Sequence, residues 1–317
     1  MATTFKGNFA ITHGGSHNGD LLTYMNLRQE VYFRVEALQA MPFRDLLEQY
    51  VVPLQYLIGF GTNRPNSLTK IELYSTEKTH QISDDKVAET AISIYMQTRY
   101  NELREDKRLY SHDMLFSYQD ITGNFGDVLE KWFALQGKID SVVQLYFSIQ
   151  QTPSMYLHQQ FVNLSQAAES YHRRVIAPPG PPSKEHTQML ADIMAGVPEE
   201  HKEWLVRKLT YSHEPSLRGR LNELFDMTKD IIAPLVTTKR SFVSKVVDTR
   251  NYQTHYDLST TSQAVRDNYE LYYLTQVLLY MIRVLFLHEL GLANEQIVQL
   301  FQRNEQYNFA VREHPKL

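Results

Sequence analysis

Beyond Gly123-Asn124-Phe125-Gly126, apolar residues recur at three- and four-residue steps in segment after segment, the spacing that lays one face of a helix against a core. The first such stretch starts at Asp127, a capping residue, and carries Val128, Leu129, Trp132, Phe133, Leu135, Ile139, Val142, Val143, Leu145, Tyr146 and Ile149. A second runs over 155–175 and stops at the Ala-Pro-Pro-Gly-Pro-Pro of 177–182, which no helix crosses. Residues 184–195, 199–209, 216–232, 238–255, 263–290 and 294–301 follow with the same period. The most apolar stretch, 274–287, is broken by Thr275, Gln276 and Arg283, so it reads as a buried core helix and not a bilayer span. Four or more of these helices can pack as a bundle.

The first third has a different texture. Residues 5–12 and 21–27 are short β-friendly runs around His13-Gly-Gly-Ser-His17-Asn18-Gly19-Asp20, and Asn-Gly is a strong hairpin turn pair. Residues 31–36 alternate like a further strand, and Pro42 opens a helical pattern through Phe43, Leu46, Leu47, Tyr50 and Leu54 that Pro53 kinks or restarts. Strands are predicted at 68–74 and 88–96, a charged loop at 99–108 and an extended piece at 114–118. The reading is an α+β domain over 1–122 followed by an all-α domain over 123–317, two domains being natural for 317 residues.

Composition narrows the chemistry. The chain has no cysteine, which excludes a disulfide scaffold, a Cys-ligated metal site and a cysteine nucleophile. Lys plus Arg is 32 against 36 Asp plus Glu, a formal net charge of −4, so nucleic-acid binding has to come from a local basic patch. The N-terminus lacks the charged start and apolar stretch of a signal peptide. A soluble cytoplasmic protein with no membrane partner is the expectation.

Arg250-Asn251-Tyr252-Gln253-Thr254-His255 ends the 238–255 helix. At about 100° per residue, Phe242, Val243, Val246 and Val247 form an apolar stripe about 140° wide with Arg250 near its middle. Asn251 and His255, four apart, share a face at the stripe's edge. A charge on a buried stripe needs a partner, either a carboxylate within the fold or an interface that continues the stripe. Spacing alone leaves a plain reading open, in which Arg250 salt-bridges inside the bundle and His255 merely ends a helix. The chain holds its own control: Arg283-Val-Leu-Phe-Leu-His288 repeats the spacing with Val284 in place of Asn251, and it reads as core and interface packing.

Other candidates are weaker. His13, His17 and Asp20 can be read as ligands of a metal hydrolase, but the Gly-rich turn accounts for them with fewer assumptions. Gly59-Phe60-Gly61 lacks the strand-before, helix-after setting of a dinucleotide loop, and no P-loop, Gly-x-Ser-x-Gly or His-Glu-x-x-His occurs. Tyr269, Tyr272, Tyr273 and Tyr280 sit at helical spacing, which points to core or dimer packing more than to base stacking.

The helical half resembles the HEPN superfamily, whose RNases carry Arg, a polar residue that is often Asn, three variable residues and His, here Arg250, Asn251 and His255. More narrowly it resembles the ApeA-like HEPN proteins, which join an N-terminal α+β domain to a HEPN bundle and act in antiphage abortive infection. The likeness rests on Phe161-Val-Asn-Leu-Ser-Gln-Ala-Ala-Glu169-Ser-Tyr171, Val246-Val-Asp-Thr-Arg-Asn-Tyr-Gln-Thr-His255, the apolar run 271–290 ending in Gly291, and the Trp132-Phe133 helix. One departure is that the chain begins close to its first strand, so a longer member would carry further N-terminal residues. The resemblance implies that Glu169 approaches Arg250 and His255, against the plain reading of a solvated helix carboxylate. It also implies that the N-terminal domain senses a phage-derived trigger or restrains the nuclease.

The chemistry of the residues agrees. Metal-free RNA cleavage needs a base for the 2′-OH, an acid for the 5′-oxygen, and positive charge at the phosphorane. Histidine populates both forms near neutrality, and arginine's planar fork matches phosphate oxygens. One histidine cannot be acid and base in one concerted step, so a homodimer that pairs two such faces is expected. The expectation is therefore a cofactor-free and metal-free endoribonuclease, on tRNA, mRNA or another RNA, with catalytic Arg250, Asn251 and His255 supported by Glu169. Arg173, Arg174, Lys239, Arg240 and Lys245, with His172 beside them, are candidates to guide an RNA backbone. The alternative is a non-catalytic helical module that binds nucleic acid or protein and dimerises through the same face.

Overall fold

The computed structural model describes residues 7–20, 24–95, 109–178, 180–255 and 264–313. The chain divides into two compact units, Thr4–Ser117 and Tyr118–Leu317.

In the first unit, β1 (Gly7–Asp20) and β2 (Tyr24–Ala37) form an antiparallel ladder in unbroken register from Gly7↔Ala37 to Asp20↔Tyr24. This corrects the predicted turn: Asn18 and Gly19 lie inside β1, opposite Asn26 and Met25, and the ladder continues past them to Asp20↔Tyr24. A local turn preference yields here to a ladder that pairs every residue on both sides, as β context commonly overrides propensity. Helix α1 (Phe43–Leu46) widens into a π turn (Leu47–Val51) and continues as α2 (Val52–Thr62). Pro53 explains the widening, because it has no N–H to give to the carbonyl one turn earlier.

Tyr50, Leu54, Leu57 and Phe60 are buried. The segment 114–118 is not extended sheet. The N–H groups of Leu115 and Phe116 both donate to the Gly61 carbonyl at 2.9 and 3.2 Å, and Phe116 packs edge-on to Phe60. Two more ladders are described in this unit, β3 (Ile71–Leu73) with β6 (Ile92–Ile94), and β4 (Thr79–Ser83) with β5 (Lys86–Glu89). The predicted loop at 99–108 lies outside the described residues.

The second unit is helical: α3 (Tyr118–Ile121), α4 (Phe125–Lys138), α5 (Asp140–Gln150), α6 (Leu157–Tyr171), α7 (Lys184–Ala195), α8 (Glu199–Leu209), α9 (Leu217–Ile232), α10 (Lys239–His255), α11 (Asn268–Glu289), α12 (Asn294–Arg303) and α13 (Glu305–Glu313). The stretch that the periodicity joined into one helix is two, because Ile139 leaves helical geometry at φ −133° and is fully buried. Helix α6 ends in a π turn, His172–Ile176, just before the proline-rich stretch. Ser183, Ser216 and Asp267 cap α7, α9 and α11 by accepting N–H bonds one turn on.

The core of this unit sits around α11. Trp132, Tyr146, Phe147 and Phe286 are buried and meet edge to face. Helix α11 is long and apolar enough to cross a membrane by length and composition, yet 78% of its most apolar window is buried in the protein, as a core helix requires. Arg283 belongs to that core: it is 8% exposed, donates Nε to the Tyr146 hydroxyl at 3.2 Å and lies over the Tyr280 ring. Tyr273 and Tyr280 are core, whereas Tyr269 and Tyr272 are exposed, so the tyrosine row is only half packing. Gly291 ends α11 at φ +83°, where the Leu292 and Gly291 N–H groups reach back to the Leu287 and His288 carbonyls.

Candidate functional site

Thr238, just before helix α10, caps it by accepting the Ser241 N–H on its hydroxyl, and the helix packs on α9 and α6. Its inward side chains are Phe242, Val243, Val246 and Thr249. The fully buried Thr249 hydroxyl accepts the Val265 N–H at 2.9 Å, which fastens the chain beyond 264 to the turn of α10 that bears Arg250. Arg250, next in sequence, stands at the edge of that packed face, with its side chain 29% exposed.

Glu169 on α6 meets Arg250. The guanidinium donates Nη2 to Glu169 Oε2 at 3.2 Å and Nη1 to Asn251 Oδ1 at 3.3 Å. The carboxylate anticipated for the stripe arginine is therefore present, and Asn251 faces its own neighbour. The Arg250 carbonyl accepts the Thr254 hydroxyl at 2.8 Å, tightening the last turn. His255 is the final residue of α10, four beyond Asn251; its side chain lies outside what the structure describes.

Behind Arg250 runs a chain of charge. Glu169 Oε1 is 3.8 Å from Arg173 Nη2, which is 3.1 Å from Glu214 Oε2. The same Glu214 oxygen takes Nη2 of Arg220 at 3.0 Å, and Arg220 is 1% exposed. Arg220 also donates Nε to the Pro215 carbonyl at 3.0 Å and Nη1 to His172 Nδ1 at 3.1 Å. A guanidinium has only donors, so His172 Nδ1 is assigned as acceptor and Nε2–H as the donor to Glu223 Oε2 at 2.8 Å. His172 is fully buried; it is a structural link and not a surface cation. Each carboxylate near Arg250, Glu169 and Glu214, already faces two guanidinium groups, so this set answers positive charge from arginine and does not present an open carboxylate pair to a metal.

The expected backbone-guiding cations divide. Arg173 belongs to the chain just described. Arg174 is hydrogen-bonded to Asp140, and that bond, with help from the Ser141 N–H, holds the Asp140 carboxyl below the usual range. Lys245 pairs with Glu270 at 2.6 Å. Lys239 reaches both Asp226 oxygens at 2.7 and 2.6 Å. Arg240 is exposed and has no ion-pair or hydrogen-bond partner among the described residues. His13, His17 and Asp20 lie in β1, and their side chains are outside what the structure describes.

Sequence reading did not single out Glu214, Arg220, Glu223 or Thr249. Arg220 had a signal: it falls at a core position of the α9 pattern between Leu217, Leu221 and Leu224, where a charge demands partners. Glu214 precedes the helix, and no spacing rule ties a loop carboxylate to Arg173.

Comparison with known proteins agrees with this architecture. Residues 162–296, from α6 into α12, match the family model Apea-like HEPN, and residues 2–132 match ApeA N-terminal domain 1. No curated protein and no solved structure matches the chain. HEPN domains are generally RNases that dimerise and bind RNA. With residues 2–132 matching the one model and residues 162–296 matching the other, the chain is an ApeA-like HEPN protein.

Proposed function

We propose that the protein is a metal-independent endoribonuclease of antiphage defence, working as a homodimer in which Arg250, Asn251 and His255 of both chains form one composite site. The observation that carries this reading is the presentation of Arg250. Its guanidinium is anchored by Glu169 and Asn251 through one N–H each, so three of its five donors have no partner among the described residues. An anchored, partly exposed fork of this kind suits the oxygens of a phosphorane.

In this mechanism, one His255 takes the proton from the 2′-OH as that oxygen attacks the adjacent phosphorus. The partner's His255 protonates the departing 5′-oxygen. Arg250 neutralises the charge that grows on the non-bridging oxygens, and Asn251 holds the His255 ring or a phosphate oxygen. The products are a 2′,3′-cyclic phosphate, or its hydrolysis product, and a 5′-hydroxyl. The N-terminal domain senses infection or restrains the nuclease, and the protein acts in the cytoplasm.

The test is degradation of single-stranded RNA in EDTA by wild type, Arg250→Ala and His255→Ala, with product ends identified by phosphatase and kinase sensitivity. Loss in both variants with folding intact supports the assignment. Unchanged cleavage in both, or RNA binding without cleavage under any condition, defeats it; the latter outcome favours the binding-module reading.

A further inference from the structure

Helix α10 carries a second feature on the face that bears its motif. Arg218 at the start of α9 reaches Ser244 and Asp248, while Asp226 near the end of α9 reaches Lys239 at the start of α10, so the two helices run antiparallel. Between them lies a groove of about 560 Å³ lined by Arg218, Asn222, Lys239, Arg240, Val243 and Ser244. None of the six is acidic. Three are cations, two are neutral hydrogen-bonding residues, and one is apolar.

Two carboxylates stand at the rim and temper this charge. Asp226 is fully engaged by Lys239, and Asp248 is 3.9 Å from Arg218. Arg218 is anchored in the groove by donating Nη1 to the Ser244 hydroxyl at 2.7 Å, which fixes its fork at small entropic cost on binding. Arg240 is exposed and without an ion-pair or hydrogen-bond partner among the described residues. A fixed guanidinium beside an unpaired one, with Asn222 to hand, is the donor set that recognises a phosphodiester.

Position selects which phosphodiester. On a regular helix, residue 251 falls within about 20° of residue 240 and residue 255 within about 60°, and residue 255 is about 22 Å further along the axis. The groove thus shares one face of the rod with positions 251 and 255, with residue 250 about 80° to the side, a few nucleotides away for an extended strand.

We propose that this groove is a subsite for a backbone phosphate of the RNA flank, a few nucleotides from the bond that is cut, with Arg218 and Arg240 as its main ligands. The substrate class rests on the endoribonuclease reading; the subsite is separate from the cleavage residues. It accounts for how an acidic protein holds a polyanion, since one local pair of guanidinium groups replaces a global basic field.

The experiment measures fluorescence anisotropy of single-stranded 2′-O-methyl oligoribonucleotides of about four and about sixteen nucleotides on the His255→Ala protein, across a salt series. Arg218→Gln and Arg240→Gln are each expected to weaken the long strand about fivefold, to reduce the salt slope by about 0.7 for each phosphate that is no longer neutralised, and to leave the short strand unchanged. Arg207→Gln, an exposed α8 cation, is the control and should do neither. Inorganic phosphate should compete no better than chloride at equal ionic strength.

Equal loss on short and long strands, no loss in Arg240→Gln (which breaks no hydrogen bond or ion pair among the described residues), or full competition by inorganic phosphate overturns the subsite. If wild type cleaves RNA but the groove variants bind like the control, the groove proposal fails alone. If wild type does not cleave while the groove variants still show length-selective loss, the nuclease reading fails alone.

Discussion

Glu214→Gln tests the charge chain behind Arg250. Glu214 Oε2 receives Arg173 at 3.1 Å and Arg220 at 3.0 Å, with side chains 47% and 1% exposed. The amide keeps the oxygen and removes the charge. Arg173 can turn to water, but Arg220 is left buried with the Pro215 carbonyl and His172 Nδ1 as neutral acceptors. Breaking a buried pair from one side costs about 3–5 kcal/mol. Glu214 itself is 17% exposed and the amide oxygen still accepts, so the expected loss is about 2–3 kcal/mol.

There is a second consequence. Arg173 loses its nearer carboxylate and is drawn toward Glu169 Oε1, 3.8 Å away, pulling on the carboxylate whose other oxygen, Oε2, anchors Arg250 at 3.2 Å. If the protein is the endoribonuclease proposed, RNA cleavage should therefore fall further than the folded fraction does. Urea unfolding followed by circular dichroism reads the first effect. Turnover at saturating RNA, under conditions where the variant is fully folded, reads the second. Pairing Glu214→Leu with Arg220→Met should recover much of the stability, because an apolar pair needs no charge compensation, but not the activity. A Glu214→Gln protein within about 0.5 kcal/mol of wild type would show that the chain does not hold α6 and α9 together, and the reasoning would fail.

Three further outcomes follow from the packing. Trp132→Ala empties the fully buried centre between Phe147 and Phe286 and should cost about 3–5 kcal/mol by chemical denaturation. Gly291→Ala forces a Cβ onto a φ of +83° and against the Lys131 side chain. The lysine tip can move, so the cost is the backbone strain, about 1–2 kcal/mol, and Gly291→Asn should cost less. Burial holds the His288 imidazole below its usual pKa, against a smaller opposing pull from Glu289. Its contribution to stability is therefore present above about pH 6.5 and lost as pH falls through the depressed value. The pH dependence of the urea midpoint should flatten on that acid side in His288→Gln; an unchanged profile would show that His288 does not set it.

How much was legible in the sequence differs between local and non-local features. The bounds of α7 and α8 match their periodic stretches because proline, glycine and serine punctuate both ends. The division at Ile139 was not legible, since 128–149 keeps one apolar period through the break. Nor was the turn of the first hairpin: a dipeptide votes for a turn, but the register of two fourteen-residue strands is a sum over the whole ladder.

The sequence by itself determined the helical segments from α6 to α12, that α11 is core, and that Arg250, placed on an apolar stripe, needs a partner. The tertiary structure sets Glu169, which the resemblance had implied and no spacing rule could show, against Arg250 from 81 residues away. It also decided that Arg173, Glu214, Arg220 and His172 stand behind it, and that Arg218 and Arg240 share a groove. Helical periodicity is a property of neighbours a few residues apart, which the order of residues states directly. Charge compensation is a property of proximity in space, and only the packing of α6, α9 and α10 supplies that proximity.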